Sequence, residues 1–209
     1  VLMTRYPFIG MLIFLALAVA LAAFAPLEKT LGTNARIVYF HGAWVWAAML
    51  AFLAAGLTGI GGLIAQGAIR STGRRWHFWS QALGRSGLCF WIAFLPMSLF
   101  VMQANWNGLF LNEPRFRIPL NLAIVGLLLQ VGLSFLPDVR WTSLANLAYG
   151  IAFFIGMNGV QSVLHPDSPI LNSSARDIQA FFAGLLLLIT LAMFQLVLWW
   201  LKRSLPVKG

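Results

Sequence analysis

The 209-residue chain is 60% hydrophobic and 9% charged, with a formal charge of +9 and a mean hydropathy of +0.84. This composition excludes a soluble globular domain and predicts one integral membrane domain over residues 1–209, since six spans of ~20 residues each leave room only for short loops. The lone cysteine, Cys89, excludes an intramolecular disulfide and a Cys-based zinc site, and the positive charge reads as basic residues on one membrane face, not as a nucleic-acid surface.

Apolar runs at 9–25, 38–64, 86–102, 120–136, 144–163 and 180–201 predict an all-α membrane protein with six transmembrane helices. Arg5, the first run and Ala23-Phe24-Ala25 have the order of a cleaved signal peptide. Pro26 directly after that cut is a poor residue for cleavage, and five helices would remain, so a retained first helix is expected. In the second run His41 falls within a turn of the helix start. Gly56, Gly59, Gly61 and Gly62 further along either permit close helix approach or mark a tapering end. A charged loop should follow, with Arg70, Arg74, Arg75 and Arg85, and with His77 serving at the interface between Trp76 and Trp79.

Pro96 lies inside the third run, where it should kink the helix. Pro26, Pro119 and Pro137 fall at the ends of runs, where a missing N–H is tolerated. Loop 103–118 carries Trp106, Phe110, Glu113, Arg115 and Arg117, and His165 closes the fifth run just before Pro166. Met97, Met102 and Met157 read as packing residues, and Trp79, Trp141, Trp199 and Trp200 as an interfacial belt.

With a cytoplasmic N-terminus, the inner segments hold Arg5, Arg70, Arg74, Arg75, Arg85, Arg140, Lys202, Arg203 and Lys208 against one acid, Asp138. The outer segments nearly balance: Lys29, Arg36, Arg115, Arg117 and Arg176 face Glu28, Glu113, Asp167 and Asp177. Both termini are therefore expected in the cytoplasm. Loops 26–37, 103–118 and 164–178 then face outward. All five acids lie in loops, leaving no buried charge to couple an ion gradient, and no Walker motif or Ser-His-Asp set supports ATP-driven or hydrolytic catalysis.

His41 and His165 fall at one depth on the outer face, where two neutral imidazoles could ligate a planar metal cofactor from opposite sides. Either one, taken singly, reads first as an interfacial hydrogen-bonding residue. The loop from Trp106 to Arg117 could form an apolar shelf, with Arg115 or Arg117, and Arg36 before His41, able to pair with carboxylates through two parallel N–H bonds. An ordinary aromatic belt with a solvated charge cluster is the other reading of the same residues.

Asn34-Ala35-Arg36-Ile37-Val38-Tyr39-Phe40-His41, followed by Ala43-Trp44, resembles the opening of the second helix in the haem-handling membrane proteins of cytochrome c maturation, the CcmC and CcsA group. Val163-Leu164-His165 is similar to that family's second external histidine. Trp106, Glu113, Pro114 and Arg115 resemble its tryptophan-rich motif W-G-x-[YW]-W-x-W-D-P-[KR], with Leu109, Phe110 and Asn112 at inner aromatic positions. Length and helix count are closer to the CcmC branch.

The resemblance implies a protein of a bacterial or archaeal cytoplasmic membrane that handles haem and is not an enzyme. It would hold non-covalent haem b at the external face between His41 and His165, cradled by Trp106, Phe110 and Glu113. Other maturation subunits and an external haem chaperone would be its partners. The alternative expectation is a structural or electron-transfer subunit of a larger respiratory or photosynthetic membrane complex that retains this fold.

Overall fold

The computed structural model describes residues 6–68, 70–158, 170 and 174–204. Six helices account for nearly all of them: α1 (Pro7–Ala23), α2 (Ala35–Ala68), α3 (Arg70–Trp106), α4 (Pro114–Ser134), α5 (Val139–Asn158) and α6 (Arg176–Ser204). Among the described residues four segments are long and apolar enough to cross a membrane: Ala35–Gln66, Thr72–Trp106, Pro114–Ser134 and Arg176–Ser204. Helix α1 is apolar but shorter, at 17 residues. The fifth run, expected through residue 163, is described only to Asn158.

Proline places two helix starts. Pro7 and Pro114 occupy the first turns of α1 and α4, where the absent N–H would have no intrahelical partner in any case. Because α4 begins at Pro114, Pro119 lies inside it and not at its end. Pro96 is likewise inside α3, as expected.

The predicted charged loop between the second and third spans is a correction. Helix α2 continues to Ala68 and α3 starts at Arg70, so the two form one long hairpin. At ~1.5 Å per residue, 34 and 37 residues make rods of about 51 and 56 Å, well beyond a hydrocarbon core of ~30 Å. The hairpin closes so tightly that a Cβ on Gly73 would come within 2.7 Å of the Gln66 backbone. Only glycine fits there without displacing main chain.

His77 is the second correction. It is 2% exposed, not interfacial. Its Nδ1 lies 2.7 Å from Ser143 Oγ and its Nε2 lies 3.0 Å from Gln66 Oε1. Asn146 extends this polar seam, donating from Nδ2 to Ser80 O at 2.8 Å and accepting from Gln130 Nε2 at 3.0 Å. Four helices thus satisfy one another's buried polar groups, which would be costly left unpaired. The glycines serve this seam: a Cβ on Gly62 would stand 2.6 Å from the His77 ring, and one on Gly84 would stand 2.7 Å from the Asn146 amide. Of the two readings of the second-run glycines, close approach is therefore the observed one at Gly62.

Helix α2 is central, packing along α3 and against α1, α5 and α6. Its Ala43, Ala47, Ala51 and Ala55 recur every four residues and are at most 1% exposed, so the backbones approach closely and dispersion contacts accumulate. An aromatic cluster joins α2, α3 and α5: the Trp91 ring lies 4.6 Å from both Phe94 and Phe153, and Phe52 lies 4.8 Å from Phe153. The polar atoms of the large rings bond to carbonyls of other helices, Trp44 to Phe90 and Tyr149 to Leu122, each at 2.8 Å. Outward positions such as Leu128, Ile155 and Leu187 are at least 60% exposed, giving the apolar exterior expected of a surface that contacts lipid.

The connection from α1 to α2 is held by a carboxylate. Glu28 Oε2 accepts from the N–H groups of Thr30 and Leu31, both at 2.8 Å, and Gly32 completes the turn at φ +54°. These bonds to the charged form hold the Glu28 carboxyl below the usual carboxylate range. A depressed folded-state pKa means the turn's contribution is present above the unfolded value and lost as pH falls through the folded one. NMR titration of Glu28 should give a midpoint below the ~4.3 of a free glutamate; a midpoint at or above it would show that the turn does not depend on the charge.

Candidate functional site

A cavity of about 500 Å³ opens at the end of the bundle opposite His77, within the ~300–1,000 Å³ typical of ligand pockets. Its wall combines the N-terminal parts of α2, α4 and α6 with the C-terminal ends of α3 and α5. On α2 it runs from Val38 to Met49, a depth of about 16 Å at ~1.5 Å per residue. The floor is the upper face of the aromatic cluster, where Trp91 and Phe94 meet the cavity. Trp91 is fully buried and anchored through Nε1 to the Pro119 carbonyl at 3.1 Å.

His41 stands above that floor, its ring 5.5 Å from Phe94 at an interplanar angle of 52°. The imidazole lines the cavity and is half-buried. Trp106 at the end of α3 and Glu113 and Arg115 at the start of α4 complete the wall. Helix α3 ends at Trp106, and Asn107 at φ +51° reverses the chain, a left-handed geometry that asparagine accepts more readily than most residues. Glu113 then starts α4, its carbonyl accepting from the N–H groups of Phe116 and Arg117 at 2.9 Å. Its carboxylate side chain is 5% exposed and reaches the cavity beside Arg115. Asn34 ties the α1–α2 connection to the last turn of α3, donating from Nδ2 to Ala104 O at 2.8 Å.

The structure therefore brings His41, Trp106, Glu113 and Arg115, distant in sequence, to one cavity. Arg36 is exposed on the first turn of α2, and Phe110 is 41% exposed; neither is part of the wall. Phe110 instead braces Trp106 edge-on, with ring centroids 6.1 Å apart. Leu109 and Asn112 point to the exterior. His165 lies outside the described residues. Comparison with family models, with curated proteins and with solved structures gives no match.

Sequence reasoning missed the floor and part of the rim. Trp91 and Phe94 are spaced three apart and share a helix face, but an all-apolar span does not show which face looks into a cavity. Met102 and Met157, read as packing, also line it. Chemically the cavity combines an imidazole, a guanidinium and a carboxylate with aromatic and thioether surface. Such a site suits a flat, largely apolar ligand that carries acidic groups at one edge and an atom able to take a nitrogen ligand. Among the described residues no three His, Cys, Asp or Glu side chains cluster as a bare metal site would require.

Proposed function

We propose that this chain crosses the membrane six times with both termini in the cytoplasm. It holds haem b, as cargo, in the cavity at the external face and presents it to a partner chaperone for cytochrome c maturation. The observation that carries this reading is the convergence of His41, Trp106 and Arg115 on one cavity with an aromatic floor. Each group suits a part of haem: imidazole nitrogen for iron, indole and phenyl faces for the macrocycle, guanidinium for a propionate. The external position follows from charge, since the basic residues concentrate at the other end of the helices. On the resemblance, His165 would supply a second nitrogen ligand.

In this reading the chain's own residues bind and orient. The aromatic floor sets the depth to which the ring enters, and Arg115 at the mouth keeps the acidic edge outward, toward a partner. The protein purified in detergent should carry haem, or take up added haemin, with the absorption spectrum of low-spin six-coordinate iron. A colourless preparation that takes up none overturns the proposal. Trp106→Ala should leave the spectrum unchanged and raise haem dissociation about two- to ten-fold, since an aromatic contact contributes ~0.5–1.5 kcal/mol beyond its buried area. Unchanged dissociation would make the Trp106 loop a subunit contact and favour the alternative, a subunit of a larger electron-transfer complex.

A further inference from the structure

At the end of the bundle opposite the cavity, two cations lie on neighbouring indoles. The Arg85 guanidinium sits 5.2 Å from the ring centroid of Trp200, and that of Arg203 sits 3.8 Å from Trp199. The two indoles meet edge-to-face at 4.7 Å, and Phe8 of α1 packs on Trp199 at 6.2 Å. Helices α1, α3 and α6 thus build one aromatic platform carrying two guanidiniums.

Arg203 is in the last turn of α6, where a cation is favoured by the helix dipole. Arg85 has no such compensation. It lies at the edge of the apolar run 86–102 and is half-buried. Among the described residues no carboxylate pairs with it; Asp138, the acid nearest this end, is bonded to Arg140 through both its oxygens. A partly desolvated cation at the edge of an apolar run is costly unless an anion meets it. The anion at that depth in a bilayer is a headgroup phosphate, and a stacked guanidinium keeps its N–H edge available for phosphate oxygens.

We propose that Arg85 and Arg203, held on Trp200 and Trp199, form a binding site for one anionic phospholipid headgroup in the inner leaflet. This site is separate from the cavity and independent of its ligand. It differs from a diffuse basic belt in that its two cations have fixed positions on a shared platform.

The test is native mass spectrometry of the detergent-solubilised protein with phosphatidylglycerol, phosphatidylcholine or inorganic phosphate. Phosphatidylglycerol should be retained over phosphatidylcholine, and inorganic phosphate should not displace it. Removing a cation should weaken retention roughly five-fold, so Arg85→Gln with Arg203→Gln should lose about 25-fold. Arg203→Gln alone, at an exposed position, should lose about five-fold and reads the site even where the double variant does not fold. Lys29→Gln with Arg176→Gln removes the same charge elsewhere and should leave retention unchanged. Equal retention of the two lipids, equal loss in this charge-matched control, or displacement by inorganic phosphate overturns the proposal.

Discussion

Replacing His41 with alanine is expected to abolish the low-spin haem spectrum and lower haem affinity by more than ~100-fold. Losing even an outer-shell partner of a metal ligand costs ~10–100-fold, and here the ligand itself is removed. The position makes the experiment clean. His41 is half-buried at the cavity wall against Phe94, so truncation widens a space that already exists and leaves the packed seam of α2 intact. His77→Ala is the internal control, because that ring lies in the polar seam at the far end of the bundle; it should alter stability and leave the spectrum alone. His165→Ala is expected from sequence to leave five-coordinate iron or an empty site. An unaltered spectrum in His41→Ala would remove this cavity as the haem site.

The second large effect concerns folding. Gly62→Val should lower the thermal midpoint of the detergent-solubilised protein, costing about 1–3 kcal/mol. A Cβ there would stand 2.6 Å from His77 Nδ1 and 2.8 Å from Cε1, and the ring cannot swing away without breaking its bonds to Ser143 and Gln66. Asn146→Ala should cost about 2–6 kcal/mol. It removes three interhelical bonds, to Ser80 O, Ser80 Oγ and Gln130 Nε2, each worth ~0.6 to ~2 kcal/mol in a membrane protein. The two positions can be separated by a cycle. In a His77→Ala background the ring is gone, so Gly62→Val should cost markedly less, whereas the cost of Asn146→Ala should change little. A Gly62→Val protein as stable as the parent would mean that α2 and α3 are not packed this closely.

Composition and local pattern made the helices legible. All six predicted apolar runs coincide with helices over the residues described, because a helix satisfies its backbone within a contiguous segment and its apolar surface is set by residue type alone. The boundaries were less legible. The stretch 65–85 reads as a charged loop because arginine and histidine are costly in lipid, yet helix formation does not require lipid. Gln66, Gly73 and His77 let the two rods continue past the apolar stretch and zip together.

Four of the candidate site residues were also legible. His41, Trp106, Glu113 and Arg115 sit at run ends or in the connection between runs, where polar and amphipathic groups meet water and signal chemistry by position. Arg36 and Phe110 occupy equally suggestive positions and do not reach the cavity wall, since one turn of helix or one residue of loop rotates a side chain away. The sequence by itself determined an all-helical, apolar-surfaced protein with most of its basic residues toward one end, properties that follow from what each residue tolerates as neighbour. Only the tertiary structure decided that Trp91 and Phe94 form a cavity floor, that His77 is a buried structural residue and that Arg85 rests on Trp200. These depend on how each helix is rotated about its axis against its neighbours, and a uniformly apolar helix carries almost no record of that angle.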